Sequence, residues 1–433
     1  MEKIKRWFEF ENRQTNLRTE IIAGVTTFLS TLYIVVINPT LFSRAGMDFG
    51  DVYLATILVT ITATLVMGIA ANYPIAVAPG IGINAYLVYS VIIAEGTPWQ
   101  EALGASLLAS GLLILVSLSS LRQMLIQAIP PSLKAAISVG IGLFIAVIGL
   151  ENGRLLVSSP ATVVTLGDLA DPMAALTVLG LFLTMGLMAL RVTGAIFISM
   201  LLIAVTAYFE GLIDVPSSFF ALPGGLSQTF WQFSFANMGN LTATIFILFL
   251  VTLFDTTGTM LAVGRQAGLV KGETFPHLKS ALLADAFGGF VGAALGTGPA
   301  SAFVESGSGV AAGGRTGFAA VVTAGLFALL TFCAPLARMI ASVPAITAPA
   351  LILVGAFMME SVAEIDWRDY TEAFPAFFTL LLMPVSFSIA SGVGIGFILY
   401  VFLKMVTGRR QSVHPLMYVL SVLFAIQMAV GIH

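Results

Sequence analysis

The sequence predicts an all-α polytopic membrane protein of about 14 transmembrane segments, arranged as two inverted repeats of seven. Three observations carry this expectation. Of 433 residues, 58% are hydrophobic and only 9% are charged, with a mean hydropathy of +1.00, whereas soluble domains carry about 25% charged residues. No Asp, Glu, Lys or Arg occurs between Asp51 and Glu95, or between Asp214 and Asp255; a soluble protein could not cover its surface with such stretches. Two further segments put helix-breaking residues where a membrane helix should run smooth: PIAVAPGIGINAYL (74–87) and GTGPASAFVESGSGVAAGGRTG (296–317).

Runs of about 17–25 apolar residues read as spans. They fall near 18–43, 52–72, 83–97, 102–119, 135–150, 173–190 and 195–209, then near 241–265, 279–296, 303–314, 316–335, 344–362, 371–388 and 391–406. The third and tenth are short because 74–82 and 297–302, rich in Gly and Pro, read as extended. A further apolar segment, 414–431, fits either an interfacial helix or an extra pass. With the N-terminus cytoplasmic, Lys3, Lys5, Arg6, Arg122, Lys134, Arg191, Arg265, Lys271, Lys279 and Arg315 fall inside, as the positive-inside rule asks. Arg154 and Arg338 are among those that fall outside. The nearly uncharged stretch 210–240 would join the halves outside, and Trp7, Phe8 and Phe10 in the charged N-terminal segment read as interfacial anchors.

Seven spans is an odd number, so two homologous halves must lie in opposite orientations. A short trace supports this: Phe28-Leu29-x-Thr31-Leu32-Tyr33 in the first span matches Phe249-Leu250-x-Thr252-Leu253-Phe254 in the eighth, at an offset of 221. The same offset places Asn84 on Glu305.

Gly/Pro-interrupted segments in corresponding places of two halves point to a transporter's central site. Broken backbone at membrane depth is tolerated only where protein buries it or it lines a cavity, and an acid there costs roughly 3 kcal/mol even on lenient scales. Glu305 stands at the second break and Asp255 follows a continuous apolar run. Both read as substrate-binding and proton-coupling groups in preference to helix-fixing acids, because a carboxylate can accept hydrogen bonds from a heterocycle and exchange a proton as access alternates. Asp285 reads as structural or as a proton relay, since GGFVGAALG beside it looks like a helix-packing surface. Asn84 leans to ligand binding. Ser306 and Thr259 fit a cavity or local backbone bonding equally well. Phe254 and Phe303 flank the acids and could stack on a flat aromatic substrate, although with 32 Phe in the chain packing is the commoner role.

Other classes find little support. A net charge of −3 says nothing about nucleic acid, and no nucleic-acid partner is expected. Cys333 is the only cysteine, excluding an intrachain disulfide, and His277, His414 and His433 lack metal-ligand spacing. No G-x-S-x-G elbow, Walker loop or Rossmann fingerprint stands in a strand-to-helix context. Neither an enzyme nor a cofactor is expected.

TFLSTLYIVVINPTL (27–41), NYPIAVAPGIGINAYLVYS (72–90), LFDTTGTMLAVGRQAGL (253–269) and VESGSGVAAGGRTG (304–317) resemble the AzgA-like adenine/guanine/hypoxanthine permeases of the nucleobase–cation symporter (nucleobase–ascorbate transporter) superfamily. The similarity runs in order from about residue 15 to 410. It implies a core domain of spans 1–4 and 8–11 (18–130 and 241–335), and a gate domain of spans 5–7 and 12–14 (131–210 and 336–407). Residues 1–17 would be a cytoplasmic N-terminal segment, 211–240 an external linker and 408–433 a C-terminal segment. Short antiparallel strands would precede helices 3 and 10, with the purine base between them. The resemblance also implies proton symport (coupling ion H+), a homodimer through the gate, and the cytoplasmic membrane as location. The family's key polar positions fall on Asn84, Asp255 and Glu305; similarity to uracil-transporting relatives adds Thr259, Phe303 and Val304. The chain departs from the family in GTGPASAF before the acid and Gly307-Ser308 after Glu-Ser, which leaves adenine against guanine/hypoxanthine open. Uracil, xanthine or a small anion on the same fold is the alternative substrate.

Overall fold

The computed structural model describes residues 2–119, 124–125, 128–269 and 277–430; Arg122, Lys271 and His433 lie outside them. In chain order the helices are α1 (Glu2–Trp7), α2 (Leu17–Thr31), α3 (Ile34–Arg44), α4 (Phe49–Val66), α5 (Ile81–Ala85), α6 (Trp99–Leu118), α7 (Pro131–Asn152), α8 (Pro172–Ala189), α9 (Ala195–Phe209) and α10 (Thr242–Gln266). They continue as α11 (Leu278–Leu295), α12 (Ser306–Ala311), α13 (Gly317–Leu329), α14 (Ala334–Ala341), α15 (Pro344–Met358), α16 (Tyr370–Ser386), α17 (Ile389–Val406) and α18 (Pro415–Val430). Four short strands interrupt them: β1 (Val77–Pro79), β2 (Leu156–Ser159), β3 (Val163–Leu166) and β4 (Ala300–Ala302). β2 and β3 form a surface hairpin, whereas β1 and β4 pair across the length of the chain.

Among the described residues, nine helices are long and apolar enough to cross a membrane, and ten if the pair Gly317–Phe332 and Ala334–Ala341, bent by 81°, is one span. That is fewer than the fourteen expected. The segments expected at 83–97, 195–209, 303–314 and 371–388 are the shorter helices Ile81–Ala94, Ala195–Phe209, Ser306–Ala311 and Tyr370–Ser386. The tenth segment is the most truncated. Gly313 takes φ +106°, a backbone state open to glycine and costly for other residues, and it stops α12 after six residues. The first span runs from Leu17 to Arg44 as α2 and α3, its helical ladder lapsing at Leu32 and Tyr33. Within segment 414–431, Pro415–Val430 form α18, which lies along α17, where Ser421 Oγ donates to the Phe397 carbonyl at 2.9 Å and the Phe397 and Phe424 rings meet edge to face.

Helix packing relies on small residues, as expected where lipid removes the hydrophobic drive between helices. A Cβ on Gly355 would lie 2.3 Å from the Gly142 carbonyl oxygen, so α7 and α15 touch backbone to backbone. The GGFVGAALG run does the same for α11: a Cβ at Gly288 would meet the Ala63 side chain at 2.7 Å, one at Gly289 the Ser110 hydroxyl at 2.7 Å, and one at Gly292 the Gly298 carbonyl at 2.5 Å. Large apolar side chains such as Leu115, Phe182, Val385 and Phe402 point outward, the arrangement expected of helices bathed in lipid.

Polar contacts gather at the two ends of the bundle. At one end Arg13 donates to the carbonyls of Asn72 (2.7 Å) and Arg315 (3.0 Å). Asn72 receives Gly317 N–H at 2.7 Å and donates to the Phe8 carbonyl at 3.2 Å. Beside them Glu20, fully buried, accepts from the Thr15 hydroxyl (2.9 Å), Arg315 N–H (2.9 Å), Thr316 N–H (3.3 Å) and the Thr316 hydroxyl (2.8 Å). At the other end Gln228 N–H reaches Asp51 at 2.8 Å and Asn237 reaches Glu101 at 3.1 Å, which ties the 211–240 stretch onto α4 and α6. Removing the Glu20 carboxylate strands several donors in a dry setting, each worth about 1–3 kcal/mol. Glu20→Ala is therefore expected to destabilise the fold by about 3 kcal/mol, read as a clear fall in melting temperature of the detergent-solubilised protein; an unchanged melting temperature would refute the clasp.

Candidate functional site

The two broken segments meet. β1 and β4 pair antiparallel with Val77 opposite Ala302, Ala78 opposite Ser301 and Pro79 opposite Ala300. Their remaining backbone groups find partners nearby, as apolar surroundings demand. Thr64 Oγ1 both donates to the Val77 carbonyl and accepts from Val77 N–H, each at 3.0 Å. Gly80 N–H reaches Pro299 O at 3.0 Å and Phe303 N–H reaches Ala76 O at 2.9 Å. Ser306 Oγ accepts from Ala76 N–H at 3.0 Å and is fully buried, so this hydroxyl serves the backbone of the opposite break.

Asn84 stands in the first turn of α5, wholly buried. Its amide donates to Asn38 Oδ1 at 2.7 Å, and the Asn38 amide donates to Thr56 Oγ1 at 2.8 Å and to Thr297 Oγ1 at 2.6 Å. Asn84 Oδ1 makes no hydrogen bond and rests against Gly298, where a Cβ would lie 2.1 Å away. At the second break Phe303 is buried, Val304 is 52% exposed and Glu305 is half-buried. Tyr33 Oη, from the lapse in the first span, donates to Glu305 Oε1.

α10 presents Phe254, Asp255 and Thr259, each half-buried. Asp255 faces the Ser301 hydroxyl of β4 and is close enough to both Glu305 and Asp285 for their charges to interact. Phe254 turns its ring to Lys134 Nζ of α7, 5.9 Å from the centroid. Asp285 is fully buried in α11 and accepts from Thr256 Oγ1 at 2.6 Å, with Oδ1 unbonded. Asp255 is thus the carboxylate that senses the charge of both others, Glu305 at the second break and Asp285 in α11.

The offset of 221 does not survive. β1 and β4 are displaced by 223, and the helices that follow them start at Ile81 and Ser306, so Glu305 precedes its helix while Asn84 lies inside one. The two are not counterparts. Six residues that sequence reasoning did not single out for the site, Tyr33, Asn38, Thr56, Thr64, Thr256 and Thr297, take part in the hydrogen bonds just described. The available signal was a Tyr and an Asn five residues apart inside the apolar run TLYIVVIN.

A separate cavity of about 490 Å³ opens at the far ends of α3 and α7, lined by Arg44, Tyr89, Glu151, Asn152 and Phe387 among others. Beside it Asn152 Nδ2 donates to Tyr89 Oη at 3.2 Å and Ser90 Oγ to the Phe387 carbonyl at 2.5 Å. Among the described residues no group of three or more His, Cys, Asp or Glu is arranged to hold a metal ion.

Two broken spans joined as strands at membrane depth, with carboxylates beside them, define a multi-pass membrane transporter. The chain belongs to the Permease family (Xan_ur_permease), which it matches over residues 18–398. It is 46% identical to the guanine/hypoxanthine permease PbuO of Bacillus subtilis (strain 168) over 428 residues, 97% of this chain and 99% of that protein. It is 38% identical to the adenine permease AdeP of Escherichia coli (strain K12), covering 98% of this chain and 95% of that one. Among solved structures, the transmembrane domain of a cyanobacterial bicarbonate transporter, BicA, superposes with a TM-score of 0.63 at 14% identity, covering 88% of this chain and 97% of that one; that likeness concerns the fold.

Gly298 tests the packing of the first break. Gly298→Ala drives a methyl into Asn84 Oδ1 and is expected to cost about 1–3 kcal/mol, seen as a lowered melting temperature that Asn84→Gly in the same chain largely restores. No change in Gly298→Ala would remove this contact from the account.

Proposed function

We propose that this protein is a proton-coupled purine-nucleobase permease that imports the base across the cytoplasmic membrane. The carrying observation is the half-buried Glu305 at the strand-paired break, hydrogen-bonded by Tyr33 and close enough to Asp255 for their charges to interact. Neighbouring acceptors of this kind suit the N–H and amino donors of a purine, and the 46% and 38% identical relatives carry purine permeases in their names. Val304, next to Glu305, and Thr259, one turn beyond Asp255 on α10, are taken to line the same space, while Phe303 and Phe254 offer apolar faces. Asn84 supports the first break through Asn38. Glu305 or Asp255 exchanges the coupling proton, with Asp285, hydrogen-bonded by Thr256, as a relay.

Alternating access follows if 18–130 and 241–335 move as a core against a gate of 131–210 and 336–407. The Tyr89–Asn152 and Ser90–Phe387 bonds cross that boundary at the end of the 490 Å³ cavity. The assembly is a homodimer through the gate. An anion carrier on this fold, the reading that BicA's name brings to mind, would not favour a carboxylate at the break.

Labelled guanine, hypoxanthine, adenine, xanthine and uracil should be offered to proteoliposomes with and without an uncoupler. Saturable purine uptake that collapses with the uncoupler is expected, and Glu305→Gln should lower Vmax/KM at least about tenfold, ~1.4 kcal/mol. Uncoupler-insensitive uptake removes the proton, and no uptake of any base removes the substrate class. With the N-terminus cytoplasmic, Cys333 lies at the outer end of α13, so a membrane-impermeant maleimide added to intact cells should label it; labelling only after lysis would invert the topology.

A further inference from the structure

Tyr33 has no assigned role, and its surroundings are unusual for a tyrosine in a membrane span. It is 1% exposed, sits where the ladder of the first span lapses, and spends its hydroxyl on Glu305 Oε1. Glu305 itself is half-buried, whereas the phenol that meets it is closed off from the surface. The contact is held from both sides: α12 lies so near α2 that a Cβ on Gly309 would be 2.0 Å from Thr27 Oγ1, and Ser30 and Ser308 share a hydrogen bond of 2.8 Å.

We infer that Tyr33 is a positioning residue for the substrate-facing acid: its hydroxyl pins one oxygen of Glu305 so that the other points into the binding space. This rests on the reading of Glu305 as a substrate contact. The pairing couples the lapse in the first span to the second break, because the phenol reaches Glu305 only with α2 seated on α12. An ionised carboxylate holds such a donor strongly, and a pre-oriented acceptor spares the ligand the ordering cost that a free side chain would impose.

Tyr33→Phe deletes the hydroxyl and keeps the ring, so packing is preserved. Uptake of labelled hypoxanthine, guanine and adenine by Tyr33→Phe proteoliposomes should show KM raised about tenfold (~1.4 kcal/mol) with Vmax within about twofold, a split that general destabilisation would not produce. The ligand-free readout is infrared difference spectroscopy of the full-length protein. The Glu305 carboxyl band, assigned by its loss in Glu305→Gln, should shift in Tyr33→Phe. An unshifted band overturns the inference, as does unchanged KM in a transporting protein. If the wild type takes up no purine base, the functional reading fails by itself, while the infrared comparison still decides whether Tyr33 holds Glu305.

Discussion

The structure depends on one constraint: two extended segments at membrane depth must satisfy their backbone groups without water. The β1–β4 pairing does this, with Thr64 closing both sides of Val77 and Ser306 taking the Ala76 N–H. Because each break completes the other, neither can form alone, and the two halves of the chain are bound at their centre. The short helices that follow then project from a common seam, and the carboxylates on α10, α11 and the second break come close enough for their charges to interact through Asp255.

That seam is affordable only because its neighbours come unusually close. Gly288, Gly289 and Gly292 of α11 admit Ala63, Ser110 and the Gly298 backbone, so the strands are walled by helices and their peptide groups are screened from lipid. At one end, Arg13, Glu20 and Asn72 tie the N-terminal segment, the connection after α4 and the start of α13 into one clasp. The breaks are thereby held both at mid-membrane and at the surface, which fixes where Glu305 stands while leaving it half-open.

The acids of the candidate site were legible in the sequence because membrane burial makes polar residues conspicuous. Asp255 and Glu305 stood out as acids in apolar runs, and the structure sets them side by side at the paired breaks. The pairing of Asn84 with Glu305 by a common offset failed because helix starts differ between the halves, a matter of turn geometry that a two-segment match does not encode. Ser306 and Asn84 turn to backbone and side-chain partners, and Phe254 turns to Lys134. Tyr33 and Asn38 were overlooked because one Tyr or Asn in a long apolar span is commonly tolerated, and their partners lie at the remote Glu305 and Thr297 as well as at Thr56 and Asn84.

The sequence by itself determined that this chain lives in a membrane, where its helices break and which acids stand in apolar runs. Hydropathy and the cost of charge in lipid act residue by residue, so composition and order suffice to read them. The tertiary structure alone decided how the two breaks register, that α12 stops after six residues, and that the first span adds side-chain hydrogen bonds to both breaks. Those outcomes depend on contacts between residues hundreds of positions apart, and only the packed backbone sets such distances.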